Sequence, residues 1–398
     1  MTEQREPIWT KSFISIAVTQ FIVFVAFYTL LTTLPIYVID NLGKTEAEGG
    51  LVVTTILVAA ILVRPFSGKI LEWIGKKKGL FLSMTAFALV LFLYIWIDQF
   101  VPLLILRFIH GLSFGILTTA TGAIAADVIP MQRRGEGLGY FAMSMNIAVV
   151  VGPFIGLTLL QWIDFRTLFI FLSVFTLLGI WFAGIVSVPE DLEEVETPKK
   201  GFTIHDLFEI KAIPIAVISS LVALSYSSVL SFISVYAKSL GLTTAAGYFF
   251  LVFAIVMIAS RPFLGKLFDS RGPSWVILPC LAVFAIGLYL LSFTDSALLL
   301  LLAAGIIGLG YGSLLPSFQT MAVQAAHPKR SSHSTATFYT LYDSGIALGS
   351  FSLGLIVTQF GYEKLYLICA GIVVVIIGLF AAFQQRQRKT ENVVDTTG

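Results

Sequence analysis

Arg64-Pro65-Phe66-Ser67-Gly68-Lys69-Ile70-Leu71-Glu72 returns, 197 residues later, as Arg261-Pro262-Phe263-Leu264-Gly265-Lys266-Leu267-Phe268-Asp269. In a chain of 398 residues that offset is close to half the length, so the sequence reads as two copies of one unit. The same offset relates Gly50 to Gly247, Gly111 to Gly308, Gly115 to Gly312, Gly152 to Gly349, Arg133 to Arg330 and Phe141 to Phe338. It also relates Asn146 to Asp343, an unequal pair. Glycines held in register suggest helices whose backbones approach closely, as they do when packed within lipid.

Composition fixes the class. Apolar residues make up 57% and charged residues 12%, with a mean hydropathy of +0.92. A soluble domain carries about 25% charged residues, so this chain reads as an all-α polytopic membrane protein. Apolar runs lie near 12–39, 48–67, 79–97, 101–126, 137–161 and 167–187. A second set lies near 213–236, 244–264, 274–294, 297–322, 333–359 and 362–383. Twelve runs of this length match the ~30 Å hydrocarbon core. The domain reading is a six-helix bundle over 1–187, a polar linker over 188–212, a second six-helix bundle over 213–383 and a polar, mobile tail over 384–398. The first run is too long for a signal-peptide core and no small-residue cleavage site follows it.

Charge placement gives orientation. One side, holding the tails, the linker and the loops after even-numbered spans 2, 4, 8 and 10, carries 18 of the 25 Lys and Arg residues. The opposite loops carry four: Lys44, Arg166, Lys238 and Lys364. The positive-inside rule therefore puts both termini and the linker in the cytoplasm, in a plasma (inner) membrane. Cys280 and Cys369 sit inside apolar runs with no metal-ligand spacing, so no metal site is expected. A catalytic triad, a phosphate-binding loop and an attached soluble domain are not seen. Enzyme chemistry, nucleic-acid binding and ATP-driven pumping are therefore not expected.

Gly68 to Lys78 resembles the signature of the major facilitator superfamily after its second span. Glu72 stands where that family has Asp, and Trp73 where it has Arg; the second copy has Asp269. The resemblance covers nearly the whole chain. It implies two pseudo-symmetric bundles that rock about a central site, driven by a proton gradient without a bound cofactor. Gly68 is expected to let spans 2 and 3 turn tightly. The carboxylate at Glu72 is expected at the N-terminus of a neighbouring helix, with basic residues pairing to it and to Asp127. Gating is assigned to Glu72, Asp127, Asp269, Arg64, Arg261 and Arg133, the stems of Arg64 and Arg261 reaching toward the interface.

A charge within the bilayer is a functional hypothesis by default. Asp343 lies deep in span 11 with Tyr339 and Tyr342 nearby, and burial would bring its pKa toward neutrality. It is the leading proton carrier. Arg107 and His110 fall in Arg107-Phe108-Ile109-His110-Gly111, similar to the family's span-4 motif, with His in the Gln position. That resemblance adds them to proton coupling. Gly152-Pro153-Phe154-Ile155-Gly156 looks like part of the span-5 motif of drug:proton antiporters, and joins the gating set. By the same resemblance spans 1, 4, 7 and 10 line the cavity. Its substrate-binding candidates are Gln20, Phe24, Tyr28, Thr32, Phe114, Asn146, Tyr226, Tyr311, Phe318, Gln319 and Tyr339. Aromatic faces with a few polar anchors suit a small amphipathic compound. The expectation is a monomeric, proton-coupled exporter of such a compound. The alternative is an exporter or importer of one metabolite, such as a sugar, an amino-acid derivative or a metallophore.

Overall fold

The computed structural model of the protein describes residues 6–44, 46–188 and 207–397. Among these every regular element is a helix, as a chain in lipid requires when each N–H and C=O must be satisfied within its own segment. The first half forms α1 (Lys11–Asp40), α2 (Glu46–Ile74), α3 (Lys76–Leu93), α4 (Phe100–Val128), α5 (Arg134–Leu159) and α6 (Phe165–Ile185). The second half forms α7 (Ile213–Ser239), α8 (Thr243–Arg271), α9 (Ser274–Leu291), α10 (Ala297–Gly312), α11 (Leu314–Ala325) and α12 (Ser331–Thr397). Twelve spans are long and apolar enough to cross a membrane. The fold is thus the expected all-α arrangement of twelve spans.

Local signals set the ends. Thr10 caps α1 by accepting from the Phe13 amide at 3.1 Å, and Asp164 caps α6 by accepting from the Thr167 amide at 3.0 Å. The eleventh span (Pro328–Val357) and the twelfth (Gln359–Arg386) are joined inside α12 by a kink at Gly361, whose φ of 79° no longer belongs to a helix.

One expectation changes, and two elements gain detail. Gly68 does not make the turn between spans 2 and 3. α2 runs on to Ile74, so the signature residues occupy its last two turns. The reversal falls instead at Gly75, with φ of 83°, and at its repeat mate Gly272, with φ of 90°. Only glycine enters that region at no steric cost. Residues 384–397, read as a polar tail, continue α12 as a helix. Span 10 (Ala297–Ala325) is one span, as expected, with a one-residue lapse at Ser313 that separates α10 from α11. Pro316 has no N–H to offer the carbonyl of Gly312, so the helical ladder lapses there. Most of the central linker, 189–206, lies outside the described residues.

The repeat is visible in the packing. A Cβ on Gly111 would stand 2.4 Å from the Ile56 carbonyl oxygen, and one on Gly308 would stand 2.4 Å from that of Phe253. Ile56 and Phe253 are themselves repeat mates, so α4 meets α2 as α10 meets α8. The contacts group the chain into two units. One holds Met1–Met131, Phe141–Ala212 and Val323–Thr340; the other holds Gln132–Tyr140, Ile213–Ala322 and Leu341–Gly398. The base of the eleventh span therefore groups with first-half helices, and the base of α5 with second-half helices.

Candidate functional site

In the first unit an ion-pair cluster gathers where α2 turns into α3. Lys76 donates to Asp127 at 2.6 Å and to the Ser331 hydroxyl at 2.8 Å. The Lys76 and Asp127 side chains are only 5% and 2% exposed, so this pair is dry. Glu72 Oε2 lies 3.4 Å from His333 Nε2, and His333 is buried. Gly68 makes that approach possible: a Cβ there would stand 2.8 Å from the His333 Cα. Arg330 pairs with Glu209 at 2.5 Å, and the Glu209 amide donates to Thr337 at 2.8 Å. The chain leaving the linker is thereby fixed to the base of the eleventh span. Arg64 does not extend to an interface as expected. It is buried, with its guanidinium 5.0 Å above the Tyr339 ring, because an aromatic face offers the cation a substitute for water.

The second unit holds the equivalent corner, built differently. Asp269, not Glu72, takes the helix N-terminus. Its two oxygens accept from the Gly135 and Glu136 amides at the start of α5, each at 2.8 Å. Orphan N–H groups and the helix dipole both favour a carboxylate there. Arg133 bonds the Glu136 carboxylate at 2.9 Å. Arg261 is buried and donates to the Gly139 carbonyl at 3.1 Å, so it too is an internal tie rather than an interfacial stem.

Toward the middle of the spans each unit has an aromatic stack centred on repeat mates. In the first, Phe27 stacks on Phe114 with centroids 4.4 Å apart and planes 9° apart, and Phe24 meets Phe114 edge-on at 5.5 Å. Phe24 also stacks on Tyr28 at 5.9 Å. Thr121 donates to Gln20 at 2.5 Å, which fixes the amide beside this stack. Thr32 turns back to the Tyr28 carbonyl. α5 presses on α1 at Gly152 and Gly156: Cβ atoms there would stand 2.9 Å from the Val25 carbonyl oxygen and 2.8 Å from Thr29 Cγ2. Thr29 donates to the Gly152 carbonyl, next to Pro153, at 2.8 Å. Asn146 is buried, and among the described residues its amide nitrogen has no hydrogen-bond partner.

In the second unit Tyr226 stacks on Tyr311 at 3.7 Å with planes 9° apart, and the Tyr311 hydroxyl bonds that of Tyr342. Tyr311 lies two residues before the Ser313 break. Asp343 follows Tyr342 directly, halfway along its span, and is half-buried. Where the first unit has Thr29, Phe114 and Met145, the second therefore has three phenols at the matching positions. Phe318 lies elsewhere, edge-on to Phe380 of the last span at 5.9 Å. Gln319, beside it in sequence, is buried.

Arg107 is fully buried and apart from both stacks. Its Nε donates to the Val52 carbonyl at 3.2 Å, and among the described residues Nη1 and Nη2 form no hydrogen bond of good geometry. His110 is packed on Phe87 at 4.2 Å, with Nδ1 3.3 Å from the Tyr94 hydroxyl. His333 and Glu209 were not among the site residues expected from sequence, and Tyr342 was expected only as a neighbour of Asp343. The repeat offset was the available signal for His333, since it falls on Glu136, another titratable residue.

Comparison with known proteins adds the family. The chain matches the Major Facilitator Superfamily profile over residues 16–350 and 269–397. It is 25% identical over 383 residues to an uncharacterized MFS-type transporter of Methanocaldococcus jannaschii, covering 90% of this chain and 97% of that one. It is 24% identical over 353 residues to the staphylopine export protein of Staphylococcus aureus, covering 85% of this chain and 87% of that one. It is 23% identical over 386 residues to the multidrug resistance protein MdtG of Escherichia coli, covering 93% and 94%. The crystal structure of the human organic anion transporter MFSD10 superposes with a TM-score of 0.79 at 14% identity, over 94% of this chain and all of that one.

Proposed function

Since this chain belongs to the major facilitator superfamily, whose members similar to it are transporters, we propose that it exports a small amphipathic compound in exchange for protons. One observation carries the reading. The Tyr226–Tyr311–Tyr342 network ends at the residue preceding Asp343, beside the break in span 10. Stacked phenols supply flat faces for an apolar or cationic ligand, with hydroxyls as anchors. Pro316 offers no N–H to the Gly312 carbonyl, which leaves one backbone acceptor beside Tyr311 at mid-depth. Asp343 supplies an acid that gains and loses a proton as its surroundings change. The relatives named for multidrug resistance and for staphylopine export support outward transport.

The proton gradient is the energy source, and no cofactor takes part. The protein acts as a monomer in the plasma membrane, with both termini and the linker in the cytoplasm. Its partners are the bilayer and a small-molecule substrate, not nucleic acid. The relative named for staphylopine export supports a narrower second reading, export of one specific metabolite.

Proteoliposomes with an imposed pH gradient, screened over dyes, drugs and metallophores, test both readings. Asp343→Asn should abolish uphill transport while leaving substrate binding intact. Gradient-driven transport at the wild-type rate in that variant would remove Asp343 from the mechanism.

A further inference from the structure

α3 and α6 of the first unit leave a groove of about 300 Å³ between them. It runs from Thr85 to Ile95, in the turn that follows α3, and from Ile170 to Ile180 on α6. Ala88 and Ser173, both small and buried, form its floor, while Leu89, Val174 and Leu177 stand more than half exposed at its rim. Both hydroxyls in it are satisfied within their own helices. Thr85 donates to the Phe81 carbonyl at 2.8 Å, and Ser173 to that of Phe169 at 2.7 Å. The surface left is hydrocarbon, and in a membrane-spanning chain it meets acyl chains.

The dimensions select one occupant. Ten residues of helix rise about 15 Å, which is half of the ~30 Å hydrocarbon core, the depth of one leaflet. Over that length the volume gives a section of about 20 Å², or about 4–5 Å across. A single methylene chain is about that wide, since carbon atoms touch at about 3.5–4.0 Å. A partner helix, about 10 Å across, would not enter.

One end of the groove suits a head group. Arg166 lies one turn before Ile170, on the same face of α6, and is exposed. Trp96 follows Ile95, meets Phe92 edge-on at 4.7 Å and is more than half exposed, the place tryptophan takes at a membrane interface. Two acids lie nearby in sequence. Asp164 is turned to the Thr167 amide as the cap of α6. Asp98 lies near the Tyr37 hydroxyl, which bonds the Ile97 carbonyl at 3.0 Å. The second unit keeps the aromatic pair, Tyr289 edge-on to Phe293 at 5.0 Å, but has Glu363 where Arg166 stands. Lys364, beside Glu363, sits 5.9 Å from the Phe360 ring. A phosphate is therefore matched at the first copy and opposed at the second.

We propose that this groove is a phospholipid site, with one acyl chain lying between α3 and α6 and the phosphate held by Arg166. An apolar groove has no hydrophobic preference for one lipid tail over another, because every tail is as apolar as the groove. Retention comes from the fit of the groove together with the arginine–phosphate contact, which is charge-assisted and can be bidentate. The lipid belongs to the leaflet that meets the start of α6, so the site stands whichever way the chain is oriented. It lies apart from the tyrosine network and stands without the transport reading.

The test uses the full chain in phosphatidylcholine vesicles that contain a trace of phosphatidylcholine with a photoreactive diazirine on one acyl chain. After illumination, labelled peptides are mapped by mass spectrometry. Labelling of 85–95 and 170–180 should exceed that of the matching 282–292 and 367–377 several-fold. Arg166→Glu, at an exposed position, should lower the groove labelling several-fold. Ala88→Phe, which fills the floor, should abolish it, and Arg166→Glu decides alone if that variant fails to fold. Equal labelling of the two units would mean ordinary surrounding lipid and overturns the proposal. Groove labelling unchanged in Arg166→Glu overturns it too. So does an unlabelled groove in protein that elutes as a dimer, which would put a second copy on this face.

Discussion

At the scale of single residues, burial decides what a charge is worth. Lys76 and Asp127 are paired at 2.6 Å and shielded from solvent, unlike a surface pair worth under about 1 kcal/mol. Removing one member leaves the other buried and uncompensated, at a cost of about 3–5 kcal/mol. Lys76→Ala should therefore lower the melting temperature of the purified protein sharply. Lys76→Ala combined with Asp127→Ala should recover part of the loss. A double variant as unstable as the sum of the two singles would mean that the pair is not coupled. This contact was readable beforehand, because a signature carboxylate–lysine cluster after an even-numbered span invites it. The partner of Glu72 was not. Nothing in the string around Ser331-Ser332-His333-Ser334 marks a buried imidazole, and only the repeat offset brings it opposite the signature.

At the scale of elements, hydropathy located all twelve spans because a bilayer demands length and apolarity above all. It could not place their ends. α2 and α8 carry polar residues through two further turns, since the carboxylates Glu72 and Asp269 there find partners inside the protein rather than marking the membrane surface. Nor could it see the break in span 10, because Ser313 and Pro316 barely alter an average over twenty residues. The break is nonetheless a structural choice. Pro316→Ala would return an N–H facing the Gly312 carbonyl and let α10 and α11 fuse. The expected outcome is a protein at least as thermostable as the wild type, since a helical hydrogen bond is gained. Transport should fall several-fold, because the Gly312 carbonyl beside Tyr311 is then occupied. Substrate flux and melting temperature measured on the same preparation separate this from general damage. Full transport with raised stability would show that the break has no part in the site.

At the scale of the whole chain, duplication supplies the frame and divergence within it supplies the chemistry. The stacks centred on Phe114 and Tyr311 occupy matching positions and nearly the same ring geometry, 9° between planes in each. Yet the first is built on phenylalanines with Tyr28 at its edge, and the second joins three hydroxyls beside an acid. The aspartate at 343 and the asparagine at 146 follow the same division. If the tyrosine network is what makes an acid useful at this depth, moving the acid alone to the matching position will not move the function. Asn146→Asp in the Asp343→Asn protein places a carboxyl where the chain has Thr29, Phe114 and Met145 in place of the three tyrosines. A buried acid without the three phenols to support its charge stays protonated, at a cost of several kcal/mol if ionised, and so does not cycle. Uphill transport in proteoliposomes should stay at the level of Asp343→Asn alone, while folding, followed by size-exclusion profile, is retained. Restored transport would show that the two repeats are interchangeable and that the acid's depth, not its tyrosines, sets the coupling.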